Sequence, residues 1–103
     1  MELIKFGEKG SQYFIDRKNQ NKPCGIYDFC EYVGIPYHQF ITLLKVVPSN
    51  SDFMCDTQIY KKIDTAKQFM QRILADIERR TIAGEISPAV YMYYLEHYGD
   101  VLE

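Results

Sequence analysis

Between Thr57 and Gly84 the apolar residues Ile59, Ile63, Ala66, Met70, Ile73 and Ile77 recur at steps of four, three, four, three and four. That spacing is the seam of a long amphipathic or coiled-coil helix. Asp56 or Thr57 can cap its start, and Gly84 is its natural stop. Phe69 and Leu74 lie off the seam, a surplus that predicts contacts on two sides. A tighter pattern precedes it, "GIYDFCEYVGIPYHQFITLL" at Gly25–Leu44. Ile26–Val33 puts Phe29, Cys30 and Val33 on one side of a short helix. Gly34 offers a residue free to take positive φ, and Pro36 opens a second helix carrying Phe40, Leu43 and Leu44. That helix, over Pro36–Val46, is expected to end before Pro48, with "PSNSD" at 48–52 as a loop. Ser87–Pro88 supplies cap and first turn for a last helix bearing Val90, Tyr91, Tyr94, Leu95 and Tyr98, closed by Gly99. At the other end, Ser11 caps a first helix with Tyr13, Phe14 and Arg17, and "NQNKPCG" at 19–25 reads as a turn.

No stretch alternates as a strand would, so the expected fold is all-α with about five helices. The organisation that follows is a flexible N-terminus over 1–10, a tri-helical helix-turn-helix unit over 11–47, a helical hairpin over 56–99 and a tail over 100–103. There is no internal repeat.

The Gly25–Leu44 stretch meets the size requirements of a helix-turn-helix position by position. Cys30 is small where the two helices cross, and Gly34 sits four residues on. Val33 and Ile35 flank the glycine and fill the angle, while Phe40, Leu43 and Phe29 supply the shared core. A helical hairpin that never meets DNA satisfies the same pattern, because tri-helical units also bind proteins.

Composition narrows the classes. The chain has 103 residues, 47% hydrophobic and 25% charged, which suits one folded domain with a modest core. No apolar run approaches the roughly 18 residues of a membrane span. "MELIKFGEKG" carries charge where a signal peptide is apolar, so a soluble intracellular protein, with no membrane partner, is expected. Cys24, Cys30 and Cys55 form no C-x-x-C pair, and neither His38 nor His97 has a cysteine at zinc-site spacing. Free thiols, no metal and no cofactor are the expectation. The net charge of −2 is uneven. Lys5–Lys22 holds five basic residues against two acidic, Ile59–Gly84 six against three, and Glu85–Glu103 four acidic and none basic. The whole chain is a poor nonspecific nucleic-acid binder, although one face can still be basic.

If Pro36–Val46 is a recognition helix, it offers Tyr37, His38, Gln39, Thr42 and Lys45. Gln39 suits adenine, and Thr42 suits a thymine methyl or a phosphate. Tyr37 and His38 suit phosphate, and Arg17, Lys18 and Lys22 are placed to hold the backbone. No arginine stands ready to read guanine, so one copy binds weakly and useful affinity takes several copies on one DNA. The isoleucine seam either packs within the subunit or pairs with copies of itself. In the second case Ile59, Ile63, Ala66, Met70, Ile73 and Ile77 form an oligomerisation surface.

Taken in order, "YF" at Tyr13–Phe14, "NKP" at Asn21–Pro23 and "YVGIPYHQF" at Tyr32–Phe40 are followed by "DF" at Asp52–Phe53. "IDTAKQFMQRILADIE" at Ile63–Glu78 and "YLEHYGD" at Tyr94–Asp100 complete the series. This succession, covering roughly Tyr13 to Asp100, resembles the small subunits of phage DNA-packaging terminases. The resemblance implies a non-catalytic oligomer that binds double-stranded phage genomic DNA through helix-turn-helix heads. It also implies recruitment of the large terminase subunit, an ATPase and nuclease. By position, Tyr37, His38, Gln39 and Thr42 would face DNA, and Ile63–Ile77 would lie in the oligomer core.

Catalysis finds no footing. There is no phosphate-cradling glycine loop, no H-E-x-x-H and no nucleophile motif. Asp28–Glu31, Asp76–Glu78 and Glu96–His97 read as solvated helix charges. Two other classes stay open. One is a small phage or plasmid helix-turn-helix regulator binding a palindrome as a dimer. The other is a protein-interaction adaptor, favoured by Tyr91, Tyr93, Tyr94 and Tyr98 on the last helix.

Overall fold

The computed structural model describes residues 3–45 and 57–99. Its five α-helices run α1 Leu3–Gln20, α2 Ile26–Val33, α3 Tyr37–Lys45, α4 Thr57–Ile82 and α5 Pro88–Tyr98. Among the described residues there is no strand. The all-α expectation holds. The loop at 48–52, Asp52–Phe53, Cys55, Asp56 and the tail from Asp100 lie outside the described residues.

One boundary is corrected. The first helix begins at Leu3, not at Ser11, so residues 3–10 are not a flexible lead. The buried stripe of α1 is Phe6, Gly10, Tyr13 and Phe14, at steps of four, three and one. Two glycines and mixed charge mask that stripe when the stretch is read locally. Phe6 has no exposed surface and meets the rings of Phe29, Phe40 and Phe69 at 5.3–6.4 Å between centroids. Gly10 lets α1 approach α4: a Cβ there would stand 2.4 Å from the Phe69 ring. That ring is wedged among Phe6, Phe14 and Phe29 and has little room to move. Gly10→Ala should therefore destabilise the fold by about 1–3 kcal/mol through overpacking, against the roughly 1 kcal/mol that alanine gains by helix propensity. Urea denaturation reads the sign.

Three helices end on a left-handed residue: Asn21 (φ 52°), Gly34 (φ 87°) and Gly84 (φ 81°). At Asn21 and Gly84 that residue's own amide and the next one reach back to the last turn, Asn21 to Lys18 and Lys22 to Arg17, Gly84 to Thr81 and Glu85 to Arg80. These paired bonds satisfy carbonyls the helix leaves open. Ser87 caps α5, its hydroxyl accepting from the Ala89 amide at 3.3 Å, with Pro88 in the first turn.

The start of α2 is capped differently. Gly25 has no side chain to offer, and three other helices supply the partners. The Cys24 amide donates to Asp76 of α4 at 3.0 Å. The Gly25 amide donates to the Tyr13 hydroxyl of α1 at 3.0 Å, and the Ile26 amide to the Tyr94 hydroxyl of α5 at 3.3 Å. Burial pushes the Tyr13 phenol up to about 12. The helix-turn-helix is thus pinned at its entry by all of its neighbours.

The α4 seam faces inward. Ile63, Ala66, Met70, Ile73 and Ile77 are each at most 4% exposed, covered by this chain's own helices. The expectation that these residues form an oligomerisation surface is therefore corrected: they are the core. The side chain of Ile59 is outside the described part. Phe69 and Leu74, which looked surplus, are buried too, Phe69 under α1. Asp76 is also corrected, from solvated charge to buried carboxylate. It holds the Cys24 amide, Arg79 and Arg80 at once. Arg80, itself buried, also reaches Glu85 at 3.2 Å and the Lys22 carbonyl at 3.0 Å.

Candidate nucleic-acid interface

The angle between α2 and α3 is built as the sequence requires. Gly34 turns left-handed, its amide returning to the Cys30 carbonyl. Phe29, Cys30, Val33, Ile35, Phe40 and Leu44 fill the inside of the turn. Four residues of α3 then stand exposed on the outside: His38, Gln39, Thr42 and Lys45. The Thr42 hydroxyl donates to the His38 carbonyl at 2.8 Å, so its own lone pairs remain open to a donor. Gln39, Thr42 and Leu43 line a cleft of about 260 Å³ with Ile35 and with Lys62 of α4.

Tyr37 departs from the expectation. Its ring stacks on Tyr27 with centroids 4.4 Å apart, and its hydroxyl lies 2.6 Å from that of Tyr98 on α5. Burial and the Tyr98 hydroxyl push its phenol up to about 12. Tyr37 is a strut joining α2, α3 and α5, not a free phosphate donor. The first turn of α3 is partly committed to protein in consequence.

Arg17, Lys18 and Lys22 do not join the α3 strip. They line a separate cleft of about 270 Å³ between the end of α1 and α4. Its other walls are Phe14, Cys24, Arg72, Ala75, Asp76 and Arg79. Arg17 is partly committed, 3.2 Å from Asp28 and with its guanidinium 5.2 Å from the Tyr13 ring centroid. Lys62, on the α3 cleft, and Arg72, on this one, are ten residues apart on α4. At a rise of about 1.5 Å per residue that is roughly 15 Å along the helix. The eight expected DNA contacts thus divide into two places, with Tyr37 withdrawn from both.

Sequence reasoning missed Arg72 and Arg79. Their seven-residue spacing, off the isoleucine seam, is the signal that places both on one side of α4. It gains meaning only when α1 is known to end beside them.

Cys24 and Cys30 are buried free thiols, as expected, and burial raises each to about 11. No group of His, Cys, Asp and Glu among the described residues is arranged to hold a metal ion. No described helix is long and apolar enough to cross a membrane.

The last helix presents a different surface. Tyr98 is buried and Tyr91 and Tyr94 partly so, while Val90, Met92, Tyr93 and Leu95 stay exposed. Its apolar residues therefore lie all round the helix, and the described residues cover one side only.

No protein-family model, curated protein or solved structure matches the chain.

Proposed function

We propose that this chain is a non-catalytic DNA-binding protein of the terminase small-subunit kind. It engages double-stranded phage DNA through helix-turn-helix heads of an oligomer and brings the large ATPase and nuclease subunit to it. The observation that carries this reading is the exposed polar strip His38, Gln39, Thr42 and Lys45 on α3. It stands directly after a left-handed glycine turn whose inner side is packed. A helix so presented is the usual reader of the major groove. Four side chains with one lysine among them give a weak single head, so the reading requires several heads per assembly. With the α4 seam buried, the surface that fits self-association is the exposed apolar side of α5.

A salt series of duplex binding by fluorescence anisotropy tests the DNA step, with light scattering on the same samples for the oligomer. Gln39→Ala with Thr42→Ala should lower duplex affinity by about 1–3 kcal/mol if both touch bases, with the helical circular dichroism unchanged. A wild-type protein that binds no duplex at low salt, or a strict monomer, overturns the reading. A protein-interaction adaptor is the second reading, favoured by Val90, Met92 and Tyr93 on α5, since aromatic and methionine side chains are enriched in interface cores. A folded chain that ignores DNA while these residues bind a protein partner would decide for it.

A further inference from the structure

The α1–α4 cleft brings five cationic side chains to one place. Arg17, Lys18 and Lys22 come from the end of α1 and the loop after it, and Arg72 and Arg79 from positions about two turns apart on α4. The one carboxylate in its wall is Asp76, and its charge is already spent. One oxygen takes Arg79, and the other takes Arg80 and the Cys24 amide. Two further carboxylates stand near: Asp28 answers Arg17, and Glu85 answers Arg80. Counting all nine charged groups, six cations meet three anions. Among the described residues, no carboxylate pairs with Lys18, Lys22 or Arg72. The Arg72 guanidinium carbon stands over the Phe14 ring, 4.5 Å from its centroid, which favours keeping its guanidinium at the cleft wall. Such a convergence is unfavourable by itself, since like charges repel across a partly walled space that weakens solvent screening. An anion between them relieves it. Liquid water takes about 30 Å³ per molecule, so a cleft of about 270 Å³ holds several waters' worth of volume and has room for a tetrahedral oxyanion.

We propose that this cleft binds a phosphate group, with Lys18, Lys22 and Arg72 as its free cations and Arg17 and Arg79 as partly committed ones. Guanidinium planes offer forked donors to phosphate oxygens, and the lysines add point charge. The same chemistry is met by a phosphodiester of nucleic-acid backbone and by a free phosphate or nucleotide. The site goes beyond the reading of α3, because it holds whether or not α3 contacts bases.

The test uses the full chain and two probes: inorganic phosphate, followed by amide NMR shifts against a sodium chloride control of matched ionic strength, and a duplex of about 20 base pairs, followed by anisotropy. The variant is Lys18→Glu with Lys22→Glu, both exposed residues whose replacement leaves the core untouched. The expected result is saturable phosphate shifts at the cleft that the variant abolishes. If duplex affinity also falls about tenfold or more, and the salt slope drops by about 1 per lysine, the phosphate belongs to DNA. If phosphate shifts vanish in the variant while duplex affinity is unchanged, the site stands and its ligand is a free phosphate or nucleotide. If neither probe responds to the variant, the proposal is overturned. In that case Gln39→Ala with Thr42→Ala still reports on α3, so the cleft can fail while the DNA reading survives. A wild type that binds phosphate but no duplex gives the reverse.

Discussion

Helices α4 and α5 are both rich in apolar side chains, yet the chain treats them oppositely. Every described seam residue of α4 is covered by the chain's own helices. On α5, Val90, Met92, Tyr93 and Leu95 remain exposed beside a buried Tyr98. The difference lies in periodicity. On α4 the four–three repeat gathers the apolar residues on one stripe, which one set of neighbours can bury while the opposite side stays charged. On α5 they fall all round the helix, and its neighbours α2, α3 and α4 cover only the side they touch. A periodic stripe is thus completed within the subunit, and a helix without one keeps apolar surface for something else. The expected oligomer surface moves accordingly, from the isoleucines of α4 to α5.

Substitutions can break this contrast. The largest effect should come from Asp76→Ala on α4, at about 3–5 kcal/mol, because Arg80 loses its buried carboxylate and keeps only the half-exposed Glu85, while the Cys24 amide loses its acceptor. Urea denaturation of wild type and variant measures it, and a loss below about 1 kcal/mol would mean that the buried network does not hold α2 in place. Ile73→Ala, in the α4 seam, should cost about 2–5 kcal/mol by emptying a fully buried site. If instead it left the monomer stable but dissolved an oligomer, the seam would be an interface after all.

The pinning of α2 gives a pH signature. Tyr13 sits at about 12 in the folded chain, above its ordinary value of 10.0. A raised folded value means the unfolded chain gives up its proton first. The stability tied to this group is therefore whole below pH 10 and drains away between pH 10 and about 12. The Cys24 thiol, raised from 9.0 to about 11, acts in the same sense between those values. Thermal melts from pH 8 to 11 should show the melting temperature falling, and Tyr13→Phe should flatten the upper part of that fall. An unchanged profile in the variant would remove Tyr13 from the account.

The smallest expected effect is the most telling. Met92→Ser on α5 should change monomer stability by no more than about 0.5 kcal/mol, since its side chain is half exposed. Under the proposed self-association it should nonetheless shift the assembly toward smaller species in light scattering. No shift would leave the exposed side of α5 to another partner.

Much of the fold was legible along the chain. The bounds of α2, the glycine stops at Gly34 and Gly84 and the Ser87–Pro88 start all follow from local chemistry. So did the four exposed residues of α3, because their spacing alone sets them opposite Phe40 and Leu44. The first turns of α1 escaped notice, since Gly10 counts as core only where Phe69 comes against it. Tyr37 was misjudged because its partners, Tyr27 and Tyr98, lie ten and sixty-one residues away.

What the sequence by itself determined is the all-α class, the helix ends and the periodic stripe of α4, because each depends on residues within one or two turns. What only the tertiary structure decided is which of those surfaces the chain spends on itself. Asp76 turns from surface charge into the cap of α2 because Cys24 packs against it, fifty-two residues away. Arg17, Lys18 and Lys22 leave the α3 strip and join Arg72 and Arg79 because α1 ends against that part of α4. Pattern fixes which side of a helix is apolar, but charge and capping act across space, and distance in space is set only by packing.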